Sequence, residues 1–254
     1  MKILKYFILS VFILIGIIFL IFKIVDEPLP EGSPGEKADL LAHKMLESIS
    51  DEAWKQTGAV QWEFTSRIGV NKHLWDRERH FAQVEFEGNL VQIDINNRRG
   101  LVLNNSQSSS ALQQAELCEK AWKLWINDSF WLNPVSKIFD AGVSRKIVKL
   151  EGARQALLVT YGSGGVTPGD SYLWILDNDF RPQSWKLWVS IIPIGGLEFS
   201  WDKWQKIETG AFISTFHKGV IDVTVNNVIG KSTLNELTGG QDVFVGLQNA
   251  TIRF

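Results

Sequence analysis

The sequence predicts an α+β domain behind a membrane anchor: an N-terminal transmembrane helix, then a curved antiparallel sheet (an incomplete β-barrel) with helices packed on one face. Three observations carry this expectation. The stretch from Tyr6 to Phe22 holds no charged side chain. Two series of alternating apolar residues, broken by turn residues, read as antiparallel strands. Helical spacing occurs at only two places after the apolar run, so helices interrupt runs of strands instead of alternating with them.

The anchor comes first. Lys5 and Lys23 bracket a run of Ile, Leu, Phe and Val, and both lysines can reach toward headgroups. Extended to Val25, the run matches the roughly 20 residues that a bilayer-crossing helix needs. A cleaved signal would be shorter and would end in a small-x-small site, which Phe22-Lys23-Ile24-Val25-Asp26-Glu27 does not offer. Residues 1–25 are therefore expected to be a permanent anchor, with membrane contact through residues 3–25. Lys2 and Lys5 precede the run, whereas Asp26, Glu27 and Glu31 follow it. The positive-inside bias then leaves the N-terminus in the cytoplasm and the domain outside, on a single-pass inner-membrane protein.

Residues 26–35, Asp-Glu-Pro-Leu-Pro-Glu-Gly-Ser-Pro-Gly, read as a short semi-extended spacer. Residues 36–254 are expected to form one domain. Ala38, Leu41, Ala42, Met45 and Ile49 recur at helical spacing. Ser50 before Asp51 and Glu52 looks like the N-cap of a second short helix, closed by Gly58. A meander follows: Trp62 and Phe64, Val84 and Phe86, then Val91, Ile93 and Ile95 each alternate with polar residues. Ser110 and Gln113 form a capping-box pattern for a helix that Asn133-Pro134 stops. Strands return at about 144–150, 154–161, 170–177, 184–192, 197–207, 210–217 and 219–225.

Composition narrows the function. The 254 residues have a net charge of −2, so the electrostatic footprint of a nucleic-acid binder is missing. Eleven tryptophans imply a large aromatic core, an aromatic-lined site, or both. Cys118 is the only cysteine; it lies in the stripe Leu112, Ala115, Cys118, Trp122, Trp125 and reads as a buried filler. Gly230-Lys231-Ser232-Thr233 lacks the glycine five residues earlier that a phosphate loop needs, the position being Val225. His43, His73, His80 and His217 show no metal-ligand spacing, and no Gly-x-Ser-x-Gly elbow occurs. No catalytic residue, metal or cofactor is expected. Asn104-Asn105-Ser106, Asn127-Asp128-Ser129 and Asn249-Ala250-Thr251 fit the glycosylation acceptor pattern, at a frequency near chance.

The second-half strands break simple alternation. Tyr172-Leu173-Trp174-Ile175-Leu176 is apolar on both faces, and Trp188 lies opposite Trp185 and Leu187. Two apolar faces mean that both are covered. One face is expected to pack on helices; the other lines a hollow or is filled by its own side chains. The candidate lining is Tyr172, Trp174, Trp185, Leu187, Phe199 and Trp201. The apolar turn from Ile191 to Gly196 offers Ile191, Ile192 and Ile194 as a loop contact or lid, and Gly162 to Gly169 reads as a flexible connection.

The segment Asp170-Ser171-Tyr172-Leu173-Trp174-Ile175-Leu176-Asp177-Asn178-Asp179-Phe180-Arg181-Pro182, followed by strands rich in Trp, resembles the bacterial LolA-like group of periplasmic lipoprotein carriers and related lipid-binding domains. The two opening helices and the meander through Trp62 and Val91 fit that layout, so the resemblance covers most of residues 38–225. It implies an incomplete barrel wrapped around helices, with an apolar cavity for acyl chains. This chain departs from the group in its anchor: the carrier diffuses freely and its receptor is lipid-modified on cysteine. The expected function is therefore a membrane-tethered, non-catalytic binding domain for a lipid or other apolar ligand. The alternative is a solidly packed structural protein that meets a partner through the 191–196 loop.

Overall fold

The computed structural model describes residues 25–104, 110–151, 155–163 and 167–254. The charge-free run lies outside the described residues, as do Asn105 and Ser106 of the first acceptor pattern and the centre of the Gly162 to Gly169 connection. Among the described residues no helix is long and apolar enough to cross a membrane.

The first helix, α1 (Glu36–Ser48), buries Ala38, Leu41, Ala42 and Met45, one stripe at three- and four-residue spacing. Ser50 stands at the N-cap position of α2 (Asp51–Lys55), but its side chain makes no capping bond. Its backbone is left-handed (φ 56°), so Ser50 makes the corner between the helices and does not cap the second.

The meander is present as β1 (Ala59–Ser66), β2 (Gly69–Asp76), β3 (Phe81–Phe86), β4 (Asn89–Asp94) and β5 (Arg99–Val102). Helix α3 (Ala111–Leu132) opens on the expected capping box: Gln113 N–H donates to Ser110 Oγ and Ser110 N–H to Gln113 Oε1. It ends one residue before Asn133.

The second half supplies β6 (Val143–Lys149), β7 (Gln155–Tyr161), β8 (Asp170–Leu176), β9 (Pro182–Trp188) and β10 (Leu197–Ser200). These form a five-stranded antiparallel sheet in the order β10-β9-β8-β7-β6. The next strands, β11 (Asp202–Lys206), β12 (Phe212–His217) and β13 (Val223–Lys231), leave that sheet. They join the meander through β13 and β1, giving a nine-stranded order β11-β12-β13-β1-β2-β3-β4-β5-β14, with β14 (Ile252–Arg253) at the far edge.

Three strand expectations are corrected. The strand expected over 197–207 breaks at Trp201, where Trp201 N–H turns to Gln183 O (2.7 Å) and Ser200 N–H to Lys218 O (2.9 Å). That break carries the chain from one sheet to the other and opens the curve. The strand over 184–192 ends at Trp188, where its partner Ser171 lies next to the start of β8. The strand over 219–225 is displaced to 223–231 because its partner is β1: Ala59 pairs with Lys231 and Phe64 with Val225.

The two long helices, α1 and α3, pack on one face of these sheets, whereas the short helix after β13 departs from the expected one-sided arrangement. One core joins α3 to the nine-stranded sheet through Trp62, Phe86, Cys118 and Trp125. The other joins α1 to the five-stranded sheet through Met45, Trp174, Trp185 and Trp201. Trp131, near the end of α3, packs against both. The chain after β13 adds an outer layer: α4 (Leu234–Thr238), then Phe244 and Leu247, cover Ala59, Leu74, Phe81 and Leu101 on the opposite face of the nine-stranded sheet.

Residues 26–35 are extended, but they do not hang free. Glu27 is bonded at the turn between β9 and β10. Ser33 exchanges both backbone hydrogen bonds with Ile147 on the free edge of β6 (2.9 and 2.8 Å). Between these points the segment crosses the outer face of the five-stranded sheet. At Gly32 a side chain would bring its Cβ within 2.9 Å of Ile147 O, so only glycine permits the approach.

Candidate functional site

The six candidate lining residues come together on one surface. Tyr172 and Trp174 point inward from β8, Trp185 and Leu187 from β9 and Phe199 from β10, with Trp201 at the break. Register makes them neighbours: Trp174 pairs with Trp185, Tyr172 with Leu187 and Trp185 with Phe199. Strand alternation sends every second side chain to the same face. None of the six is more than 9% exposed.

Their rings touch. Centroids lie 4.8 Å apart for Trp174 and Trp185, 5.1 Å for Trp174 and Trp201, 4.9 Å for Trp185 and Trp201, and 4.6 Å for Tyr172 and Trp185. Helix α3 closes the cluster from above: Trp131 sits 5.0 Å from Trp185 and 5.2 Å from Phe199, and Phe130 lies 5.2 Å from Tyr172. The interior is thus filled by its own side chains.

Among the described residues, several polar atoms of this cluster lack partners, as do Nε1 of Trp62, Trp75 and Trp125 in the core around α3. Nε1 of Trp174, Trp185 and Trp201 is buried with no hydrogen-bond partner among the described residues, and so is Nε2 of His217. Buried polar groups nearly always find a partner; four orphans in one apolar cluster depart from that rule. Ring-edge contacts, such as the 76° arrangement of Trp185 and Trp201, are weaker than a hydrogen bond. His217 lies against Trp201 (4.3 Å) with Nδ1 3.1 Å from Ser200 O. Nδ1–H donates there, which leaves Nε2 as a bare acceptor. Burial pushes the His217 imidazole down to about 4, so it is neutral at physiological pH. Burial likewise raises the Tyr172 hydroxyl well above its ordinary value.

Sequence reasoning missed Phe130, Trp131 and His217. The first two lie at the end of a helix whose apolar stripe was followed only to Trp125, and the histidine was weighed only as a metal ligand. Among the described residues no three His, Cys, Asp or Glu side chains come together as metal ligands. Cys118 is fully buried, and burial pushes its thiol up to about 11.

The second apolar face is the outer one. It carries Leu173 and Trp188, with Val148, Ala156 and Leu158 beside them, and the chain's own residues 26–33 pass over it. Two hollows open elsewhere. One, of about 510 Å³, is bordered by Arg67 and Gly219 to Asp222. The other, of about 220 Å³, includes Gln61, Lys72, Gln83 and Glu85 of β1–β3. None of the six aromatic-cluster candidates lines either. In the 191–196 turn, Ile191 is 76% exposed, and Ile192 and Ile194 are half-buried.

No family model and no curated protein matches the sequence. Among solved structures the chain is similar to a DUF1329 family protein from Desulfovibrio piger, with 9% identity and a TM-score of 0.43, over 85% of this chain and 100% of that one. It is also similar to a structure described as an outer membrane lipoprotein-sorting protein domain from Vibrio parahaemolyticus (11%, TM-score 0.39, 82% and 98%). A third is the Mycobacterium tuberculosis lipoprotein LppX (8%, TM-score 0.26, 75% and 95%).

Proposed function

We propose that this chain is a membrane-tethered, non-catalytic domain outside the cytoplasmic membrane that binds a lipid acyl chain between its five-stranded sheet and helices α1 and α3. One observation carries the reading: three indole N–H donors and one imidazole acceptor stand unpartnered within a single aromatic cluster. Ligand sites are mostly apolar with a few well-placed polar groups. An acyl chain lying among these rings brings a carbonyl or carboxylate oxygen, the acceptor that an indole N–H needs. Entry displaces Phe130 and Trp131 from the sheet. The tether rests on the charge-free run from Tyr6 to Phe22 and its flanking charges.

A second reading has its own observation. The five aromatic side chains of the cluster and Trp131 are packed ring to ring, as in a solid core. On that reading the chain is a structural or interaction protein.

A dansyl-labelled fatty acid added to residues 25–254 separates the two. Binding is expected to saturate, with energy transfer from tryptophan. Trp185→Phe keeps a ring but deletes the donor, and a hydrogen bond contributes about 0.5–1.5 kcal/mol, so affinity should fall roughly two- to tenfold. Absence of saturable binding by the parent protein would sink the lipid reading in favour of the packed one.

A further inference from the structure

The segment leading out of the apolar run is clamped to one loop. Glu27 N–H donates to Gly195 O (3.1 Å), and Gly195 N–H donates to Asp26 Oδ1 (2.8 Å). Trp188 Nε1–H donates to Glu27 O (2.7 Å), and Lys186 Nζ reaches both carboxylate oxygens of Glu27 at 2.8 Å. Both loop glycines are required by this contact. A side chain at Gly195 would bring its Cβ within 2.7 Å of Glu27 O; at Gly196, whose φ is +80°, it would come within 2.6 Å of Glu27 Cβ. Five interactions at two residues hold the 189–196 turn beside Val25, where the apolar run ends.

That turn is Val189-Ser190-Ile191-Ile192-Pro193-Ile194, with Ile191 largely exposed. Val25 and Leu29, flanking the clamp, are exposed as well. Apolar side chains gathered at a surface mark a contact site, and here the sequence says which contact it is. The chain beyond Val25 is apolar and uncharged from residue 22 back to residue 6. That run ends four residues before the clamp at Asp26, with Lys23 between, so whatever apolar medium receives it lies close to the loop.

We infer that the Ile191 to Ile194 loop is a second membrane contact. Ile191, with Ile194 beside it, enters the interfacial layer of the outer leaflet next to the anchor, while Ile192 packs inward on the domain's core, and the clamp at Asp26 and Glu27 holds the loop there. This rests on the membrane-tethered reading above. The domain is then attached at two points and keeps one orientation toward the bilayer.

The test uses the full chain in phosphatidylcholine–phosphatidylglycerol vesicles, in a Cys118→Ala background. An NBD fluorophore is attached at Ile191→Cys or, for comparison, at Leu112→Cys, an exposed position at the start of α3. Lipids carrying a doxyl group near the headgroup should quench the label at 191 at least twofold more than the label at 112. Iodide should show the reverse preference. Adding Asp26→Ala with Gly196→Ala should reduce the quenching at 191 at least twofold. A label at 191 that stays open to iodide and unquenched by doxyl lipid, on protein that resists alkaline carbonate washing, overturns the loop contact and leaves the tether standing. Protein released by carbonate overturns both.

Discussion

His217 shows how burial sets the chemistry of a single residue. Its ring is wholly buried among Trp131, Trp201 and the β10–β11 break, and its folded-state value of about 4 lies below the roughly 6.5 of a free imidazole. The unfolded chain therefore binds a proton between these two values while the folded chain does not, so stability falls as pH drops from about 6.5 toward 4 and levels off below. At pH 4.5 the loss should be on the order of 2 kcal/mol. Urea denaturation of residues 25–254 at pH 7 and pH 4.5 measures it, and His217→Gln should flatten the difference; an unchanged difference would assign the pH dependence elsewhere. Little of this was legible beforehand. Trp174, Trp185 and Trp201 could be grouped because their strands alternate. A histidine on β12 gives no local sign that it closes on a tryptophan sixteen positions earlier.

Helix α3 is the element on which both cores depend. Asp128, on its buried face, takes His73 Nε2 at 2.8 Å and Asn71 Nδ2 at 2.8 Å on one oxygen and Asn127 Nδ2 at 2.9 Å on the other. Asp128→Ala leaves His73 Nε2 buried without its partner and frees the half-buried Asn71 amide. Leaving a buried donor unsatisfied costs about 1–3 kcal/mol, so the urea midpoint should fall clearly. Glu119→Ala, which removes an exposed i,i+4 pair with Lys123, should change stability by about 0.5 kcal/mol or less. Equal effects would mean that the α3 to β2 contact contributes nothing. The helix's beginning and end were readable from Ser110, Gln113 and Asn133-Pro134, because caps are local chemistry. The break at Trp201 and the displaced β13 were not, because a strand ends where its partner does, and the partners lie far off in sequence.

At the scale of the whole molecule, the last 23 residues bury the outer face of the nine-stranded sheet and supply Asp242, which pairs with Arg79 through two hydrogen bonds of 2.8 and 2.9 Å. A chain ending at Lys231 should keep its strands but uncover Ala59, Leu74, Phe81 and Leu101. It is expected to lose cooperative thermal unfolding and to bind a hydrophobic dye; a sharp melt within a few degrees of the parent would show that layer to be dispensable. The pairing of β1 with β13 has a further consequence, in time. Ala59 finds its partner in Lys231, so the junction of β1 and β13 in the larger sheet stays unmade until residue 231 has been synthesised. Such distant closures are slow. On the export that the proposed function requires, the delay is useful, because a chain that cannot close this sheet early reaches the far side of the membrane still threadable.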